Sequence, residues 1–186
     1  MEGSYISHHS AFEYYGFANQ VYYDVYVSGE KRFYSFEYDG IYYRYIAPRI
    51  KPGVDKKLDG IYVTDLERTV IDSINDFEKI GGIEELLRCL SLIPYINESK
   101  ALQYLEAYNK QFLYQKAGYI LEHFQNNLRL TNDFFDQCRK GLNGSVRYLY
   151  HGIGDEAHIY NQPWKMVVPT DLTAKLEKGV TVDADF

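Results

Sequence analysis

The main change of period between hydrophobic and polar positions along this chain falls near residue 64. Before that point the apolar residues alternate. Val21, Tyr23, Val25 and Val27 sit between polar or aromatic neighbours, the period-two pattern of a half-buried strand. Ser28-Gly29-Glu30 is expected to turn that strand, with residues 32–38 running back beside it. Asp39-Gly40 is a two-residue hairpin signal, since both positions tolerate positive φ. A third strand follows over residues 41–46, a loop over 48–57, and a fourth strand over 61–63. Ahead of the sheet, Ser7 is placed to cap a short helix over residues 8–15 that Gly16 ends. The expected layer is an antiparallel sheet, aromatic on both faces.

From Leu66 onward the apolar spacing becomes helical. Residues 66–77 form the first helix, and Gly81-Gly82 breaks it from the next. Ile83, Leu86, Leu87, Leu90 and Ile93 mark a second helix that Pro94 stops. Asn97 or Ser99 starts a third, with Ala101, Leu102, Leu105 and Tyr108 inward. Phe112, Ala117, Ile120, Leu121 and Phe124 mark a fourth, and Phe134, Phe135 and Cys138 a shorter one closed by Gly141. Residues 146–150 and 164–168 read as late strands that rejoin the sheet. Strands first and helices after predicts an α+β fold in one domain. Its β-rich lobe spans residues 1–64, and a mainly helical lobe spans 65–186.

The joint between the lobes carries its own local signals. Thr64 and Glu67 have the spacing of a capping box, in which Thr64 accepts from a helix amide and Glu67 reaches back to the Thr64 amide. Leu66, Thr69 and Val70 then form an apolar face, and Arg68 and Asp72 stand one turn apart, where they can pair. The guanidinium of Arg68 is expected to fork onto backbone carbonyls between the lobes and to act as a structural clamp.

Composition narrows the function classes. A formal net charge of −6 argues against whole-surface attraction to nucleic acid, leaving only a local patch. Arg44, Arg49, Lys51, Lys56 and Lys57, with Tyr42, Tyr43 and Tyr45 just upstream, form such a basic and aromatic stretch. It could clamp phosphates while tyrosines stack on bases, or it could be a solvated loop beside a tyrosine-rich sheet. Tyrosine, at 20 of 186 residues, suits half-exposed sheet faces and is compatible with a homodimer without requiring one. Cys89 and Cys138 lie far apart without metal or disulfide spacing, so both read as reduced buried side chains. No apolar run reaches membrane-spanning length and no signal segment opens the chain, so a cytoplasmic protein without a membrane partner is expected.

Candidate chemistry is sparse. His8 and His9 are adjacent, so on a helix they face different directions and cannot chelate from one face. Glu98-Ser99-Lys100 has the Glu-x-Lys form of metal-dependent nucleases, with Asp72 or Asp76 as conceivable partners, but it opens a predicted helix where an acidic first turn is ordinary. No phosphate-binding glycine loop, nucleophile elbow or His-Glu-x-x-His pair occurs. No catalytic residue, metal site or cofactor is expected.

Leu66-Glu67-Arg68-Thr69-x-x-Asp72 resembles the Glu-Arg-Thr-x-x-Asp signature of the AbiEi antitoxin family, from AbiE-type (type IV) toxin–antitoxin systems. The likeness continues in order along most of the chain. Tyr5-Ile6-Ser7-His8-His9-Ser10-Ala11, with Tyr14 and Gly16, is similar to the family's Ser-His-x-Ser-Ala segment, and the hairpins over 21–46 to its tyrosine- and arginine-bearing strands. Gly81-Gly82-Ile83-Glu84-Glu85-Leu86 resembles its Gly-Gly segment. Tyr104, Tyr108, Asn109 and residues 115–121 resemble its later helices, and Pro163-Trp164-Lys165 with Val168-Pro169 its closing strand. Family members usually begin with a winged helix-turn-helix that binds operator DNA, for which there is no room before Ser7, so operator binding does not carry over. The resemblance implies a non-enzymatic antitoxin active against abortive-infection toxins during phage defence. Its functional partner would be a cognate nucleotidyltransferase-like toxin, neutralised without stable contact. A nucleic-acid-binding transcriptional regulator or RNA-binding module is the alternative.

Overall fold

The computed structural model describes residues 3–140, 142 and 144–177. Six strands form the main sheet: β1 (Ser4–Ile6), β2 (Asp24–Gly29), β3 (Phe36–Tyr38), β4 (Ile41–Ile46), β5 (Val54–Lys56) and β6 (Tyr62–Thr64), in the order β3-β4-β2-β1-β6-β5. Helix α1 (His8–Tyr15) links β1 to β2. The helical part comprises α2 (Leu66–Asn75), α3 (Ile83–Leu92), α4 (Glu98–Tyr108), α5 (Gln111–Glu122), the one-turn α6 (Gln125–Leu128) and α7 (Asn132–Lys140). The α+β class expected from the pattern is the class observed.

The sheet is mixed rather than antiparallel. β2 and β4 pair in parallel, with Val25 opposite Tyr43 and Val27 opposite Tyr45, and β1 pairs in parallel with β6. The segment after β2 does not fold back onto it. It becomes β3 on the outer side of β4, joined by the Asp39-Gly40 turn, whose φ values of 51° and 75° are those of a primed hairpin. The free edge of β2 is taken instead by β1, antiparallel, with Tyr5 opposite Ser28. Neither β1 nor β5 is among the expected strands: β1 directly precedes the expected helix cap at Ser7, and β5 lies within the loop expected over residues 48–57.

A second correction concerns the late strands. β7 (Arg147–Tyr148), β8 (His158–Asn161) and β9 (Met166–Pro169) do not rejoin the first sheet; they form a separate one in the order β7-β9-β8. Met166 and Val168 bury one face of β9 against the helices, and Trp164 just before it is fully buried. That indole lies against Gly118 of α5, where a Cβ would stand 2.0 Å from the ring. The Gln115 amide donates to the Trp164 and Lys165 carbonyls at 3.0 and 3.2 Å, which satisfies backbone that the crossing would otherwise bury unpaired. The Gly141 stop expected for α7 lies outside the described residues.

Helix α2 is the axis of the molecule. It packs on α1, α3, α4 and α5, and every residue from Glu67 to Ile74 is buried. The single apolar face expected of Leu66, Thr69 and Val70 is therefore not what forms. Val70, Ile71 and Ile74 are wholly enclosed while Leu66 is only half-buried, and the polar residues of α2 are enclosed with them. A helix covered on all sides must satisfy those polar groups internally.

Candidate functional site

The start of α2 is capped one residue later than the sequence spacing implies. Asp65, not Thr64, is the N-cap: its Oδ1 accepts from the Arg68 amide at 2.8 Å. Asp-x-x-Arg competes with Thr-x-x-Glu here, and an aspartate is at least as good a cap as a threonine. Thr64 stays in β6, where its hydroxyl meets that of Thr69 at 2.8 Å while Thr69 donates to the Asp65 carbonyl at 2.7 Å. Glu67 does not reach back. Its Oε1 accepts from the Asn97 amide at 2.8 Å and so ties α2 to the start of α4. Asn97, one of the two starts expected for this helix, caps α4 through the Lys100 amide at 3.1 Å.

Arg68 bonds one carboxylate and one backbone carbonyl instead of forking onto carbonyls alone. It is 1% exposed, and its Nε donates to Asp72 Oδ1 at 2.7 Å. An Nη donates to the Pro52 carbonyl in the loop before β5, and the Tyr5 hydroxyl of β1 faces the same guanidinium. Burial opposes the Arg68 charge, but the Asp72 carboxylate outweighs it and the pKa rises. Two tyrosines one turn apart on α4 complete the network. Tyr108 donates to Asp72 Oδ1 and Tyr104 to Asp65 Oδ2, each at 2.5 Å. Burial and then the adjacent carboxylate hold both phenols well above their ordinary pKa. Lys100 adds a third donor to Asp65 at 3.0 Å.

Gly53 makes the close approach between loop and helices possible. Its φ of +85° is left-handed, and a Cβ there would lie 2.7 Å from the Tyr104 ring and 2.9 Å from the Arg68 Cβ. Its carbonyl accepts from the Asp65 amide at 2.9 Å. Each polar side chain of the Glu67-Arg68-Thr69-x-x-Asp72 signature thus bonds a different element or the preceding strand.

On the other side of Asp72, the start of α1 contributes Ser7 and His8. Ser7 makes no cap bond; its hydroxyl meets Ser28 of β2 at 3.1 Å and His8 Nδ1 at 2.9 Å. Burial lowers the His8 pKa against the pull of Asp72 and Asp76, so the ring is neutral near pH 7. His9 turns the opposite way, as adjacent helix positions require, and is fully buried 3.6 Å from Glu85. A polar cleft of about 220 Å³ opens where His8, Arg49, Asp72, Asp76, Lys79 and Tyr108 converge.

The basic and aromatic stretch is divided by the sheet order. Arg44 and Tyr42 lie on β4, whereas Lys56 and Lys57 lie on and after β5, with β2, β1 and β6 between, about 19 Å at the usual strand spacing. Arg44 pairs with Asp24 at 2.8 Å, and Lys57 pairs with Asp55 at 3.2 Å. Tyr43 stacks on Phe36 with centroids 4.9 Å apart, and Tyr45 turns inward to donate to the Gly29 carbonyl. Arg49 and Lys51 stand together in the loop beside the clefts, and Arg44 lies 5.9 Å from the centre of the Tyr42 ring. The two halves of the nuclease-like triplet also part. Glu98 accepts from Thr131, while Lys100 turns to Asp65 and Glu67. Among the described residues no three His, Cys, Asp or Glu side chains form a group that could hold a metal ion. Both cysteines are free and buried, and burial raises the Cys138 thiol to about 12.

Sequence reasoning missed Tyr104, Tyr108 and Ser28 as members of this network and Lys79 as part of the cleft wall. The pair of tyrosines at i and i+4 on the inward face of α4 was the available signal, since a buried phenol needs a partner.

No protein-family model matches the chain, and no curated protein matches it. Among solved structures, the fold is similar to that in the crystal structure of the RV2827C protein from Mycobacterium tuberculosis. The TM-score is 0.67 at 14% sequence identity, over 96% of this chain and 66% of that one. The chain thus spans somewhat less than two thirds of that protein's length, and at this identity the likeness concerns the fold. No helix among the described residues is long and apolar enough to cross a membrane.

Proposed function

We propose that this chain is a non-enzymatic antitoxin domain of the AbiEi type, which neutralises a nucleotidyltransferase-like toxin of a type IV toxin–antitoxin system without forming a stable complex with it. The observation that carries the reading is the convergence of the resembling segments. The Ser7-His8 segment, the Glu67-Arg68-Thr69-x-x-Asp72 signature and Tyr104 and Tyr108 are separated by tens of residues, yet they meet in one buried polar network. Gln115 and Trp164, from two further resembling segments, meet in a second knot. Scattered motif residues that converge in this way are those a shared fold would have to keep together. The groups in the network are bonded to one another as clamps, which fits a protein that acts through its surface.

The test is co-expression. The candidate toxin is the nucleotidyltransferase-like product of an adjacent gene, induced alone and together with this chain, with growth and antitoxin level followed in parallel. Restored growth, with no complex recovered on purification, is the expected result. Continued arrest in cells that hold soluble, folded chain would overturn the reading.

A further inference from the structure

Two clefts share a wall, and Arg68 and Asp72 line the polar one. The polar one is described above. Its neighbour, of about 410 Å³, is lined chiefly by apolar and aromatic groups, among them Tyr5, Ile50, Val54 and Tyr62. Pro48 and Arg49 line both clefts and form the ridge between them. Arg49, Lys51 and Lys79 make no side-chain hydrogen bond or ion pair among the described residues, and they stand on this ridge and its two flanks. Every other charge near the ridge has been spent or is acidic: Arg68 holds Asp72, while Asp76 and Glu30 are unpaired. Four cations face three carboxylates, a local excess of positive charge on a chain whose net charge is −6.

We propose that the paired clefts bind a nucleotide unit. The base enters the apolar cleft against the Tyr5 and Tyr62 rings, where stacking tolerates any base. The phosphate lies on the Arg49 guanidinium at the ridge, with Lys51 and Lys79 to either side, in the geometry that favours planar, forked recognition of phosphate. Asp76, an acceptor with no donor of its own, takes a sugar hydroxyl in the polar cleft. An acyl or aliphatic ligand would fill the apolar cleft but leave three cations unmatched. An inorganic anion would satisfy those cations and leave the larger cleft empty. A nucleotide matches both halves and their order. The proposal extends the recognition side of the antitoxin reading without depending on it, because binding is measured on the purified chain alone.

The unit could arrive free or as part of a single strand, so two probes are used. AMP is titrated calorimetrically, and a fluorescently labelled five-nucleotide adenylate RNA is titrated by anisotropy, both at low salt. Saturable binding of either probe is expected, with binding of AMP marking the free unit as sufficient and binding of the strand alone marking a strand as the source. Arg49→Glu and Tyr62→Ala, both at exposed positions, should each weaken it about tenfold or more. Arg147→Glu, an exposed charge reversal on β7 of the second sheet that lines neither cleft, should leave it unchanged, and urea melts of all three variants should match the parent. The proposal is overturned if neither probe saturates. It is also overturned if inorganic phosphate competes as well as AMP, or if Arg147→Glu weakens binding as much as Arg49→Glu does.

Discussion

Replacing Arg68 by alanine tests the clamp directly. The change removes the 2.7 Å bond to Asp72, the bond to the Pro52 carbonyl and the charge facing Tyr5, all at a site 1% exposed. Asp72, itself buried, keeps only Tyr108 as a donor. Leaving one member of a buried ion pair uncompensated costs about 3–5 kcal/mol. For a chain of this size that corresponds to a fall of roughly 6–20 °C in melting temperature, at about 2–4 °C per kcal/mol. The loss is a property of the pair, so Asp72→Ala added to Arg68→Ala should cost much less than the two single changes together. Urea unfolding followed by circular dichroism on the parent, both singles and the double closes the cycle, and a coupling of about 2 kcal/mol or more is expected. On the proposed antitoxin reading, rescue from the toxin should fall in step with the folded fraction. An Arg68→Ala protein that melts within about 1 kcal/mol of the parent would refute the clamp. If it were also inactive, Arg68 would belong to a recognition surface instead.

Two further outcomes follow from the packing. Gly118→Ala should destabilise by about 1–3 kcal/mol in urea melts, because its Cβ would stand 2.0 Å from the Trp164 ring; stabilisation, as helix propensity alone would give, would contradict the close packing. Glu85 is buried, which by itself would raise its pKa, but His9 and the Asn19 and Gln20 amides outweigh burial and the value is lowered. Its contribution is therefore present above the unfolded carboxylate value of about 4.3 and is lost as pH falls through the lower folded value. The stability gap between parent and Glu85→Gln should accordingly be full at neutral pH and narrow below about pH 4, and a gap independent of pH would count against the network.

The signature segment illustrates how much of the site was legible. Its strand-to-helix joint, its acidic and hydroxyl caps and the Arg68–Asp72 spacing could all be read locally, because capping and i,i+4 pairing involve neighbours in sequence. The reading still erred by one residue at the cap. Thr64 and Asp65 are both competent, and only the pairing of β6 with β5 decides which leaves the strand first. The Asn97 partner of Glu67 and the Tyr108 partner of Asp72 were not legible at all, since they come from the start and the inner face of another helix.

The linear pattern by itself determined the class: alternating residues before position 64, helical spacing after it, the Asp39-Gly40 turn and the buried cysteines. These depend on periods of two and 3.6 residues and on side-chain polarity, which are properties of short windows. Tertiary structure alone decided that β1 rather than a returning strand borders β2, that the late strands form their own sheet, and that the basic stretch is divided while Arg49, Lys51 and Lys79 gather around two clefts. Those outcomes depend on which elements compete for the same sheet edge or helix face. That competition is settled by burial of the whole chain at once, where a residue's neighbours are no longer those beside it in sequence.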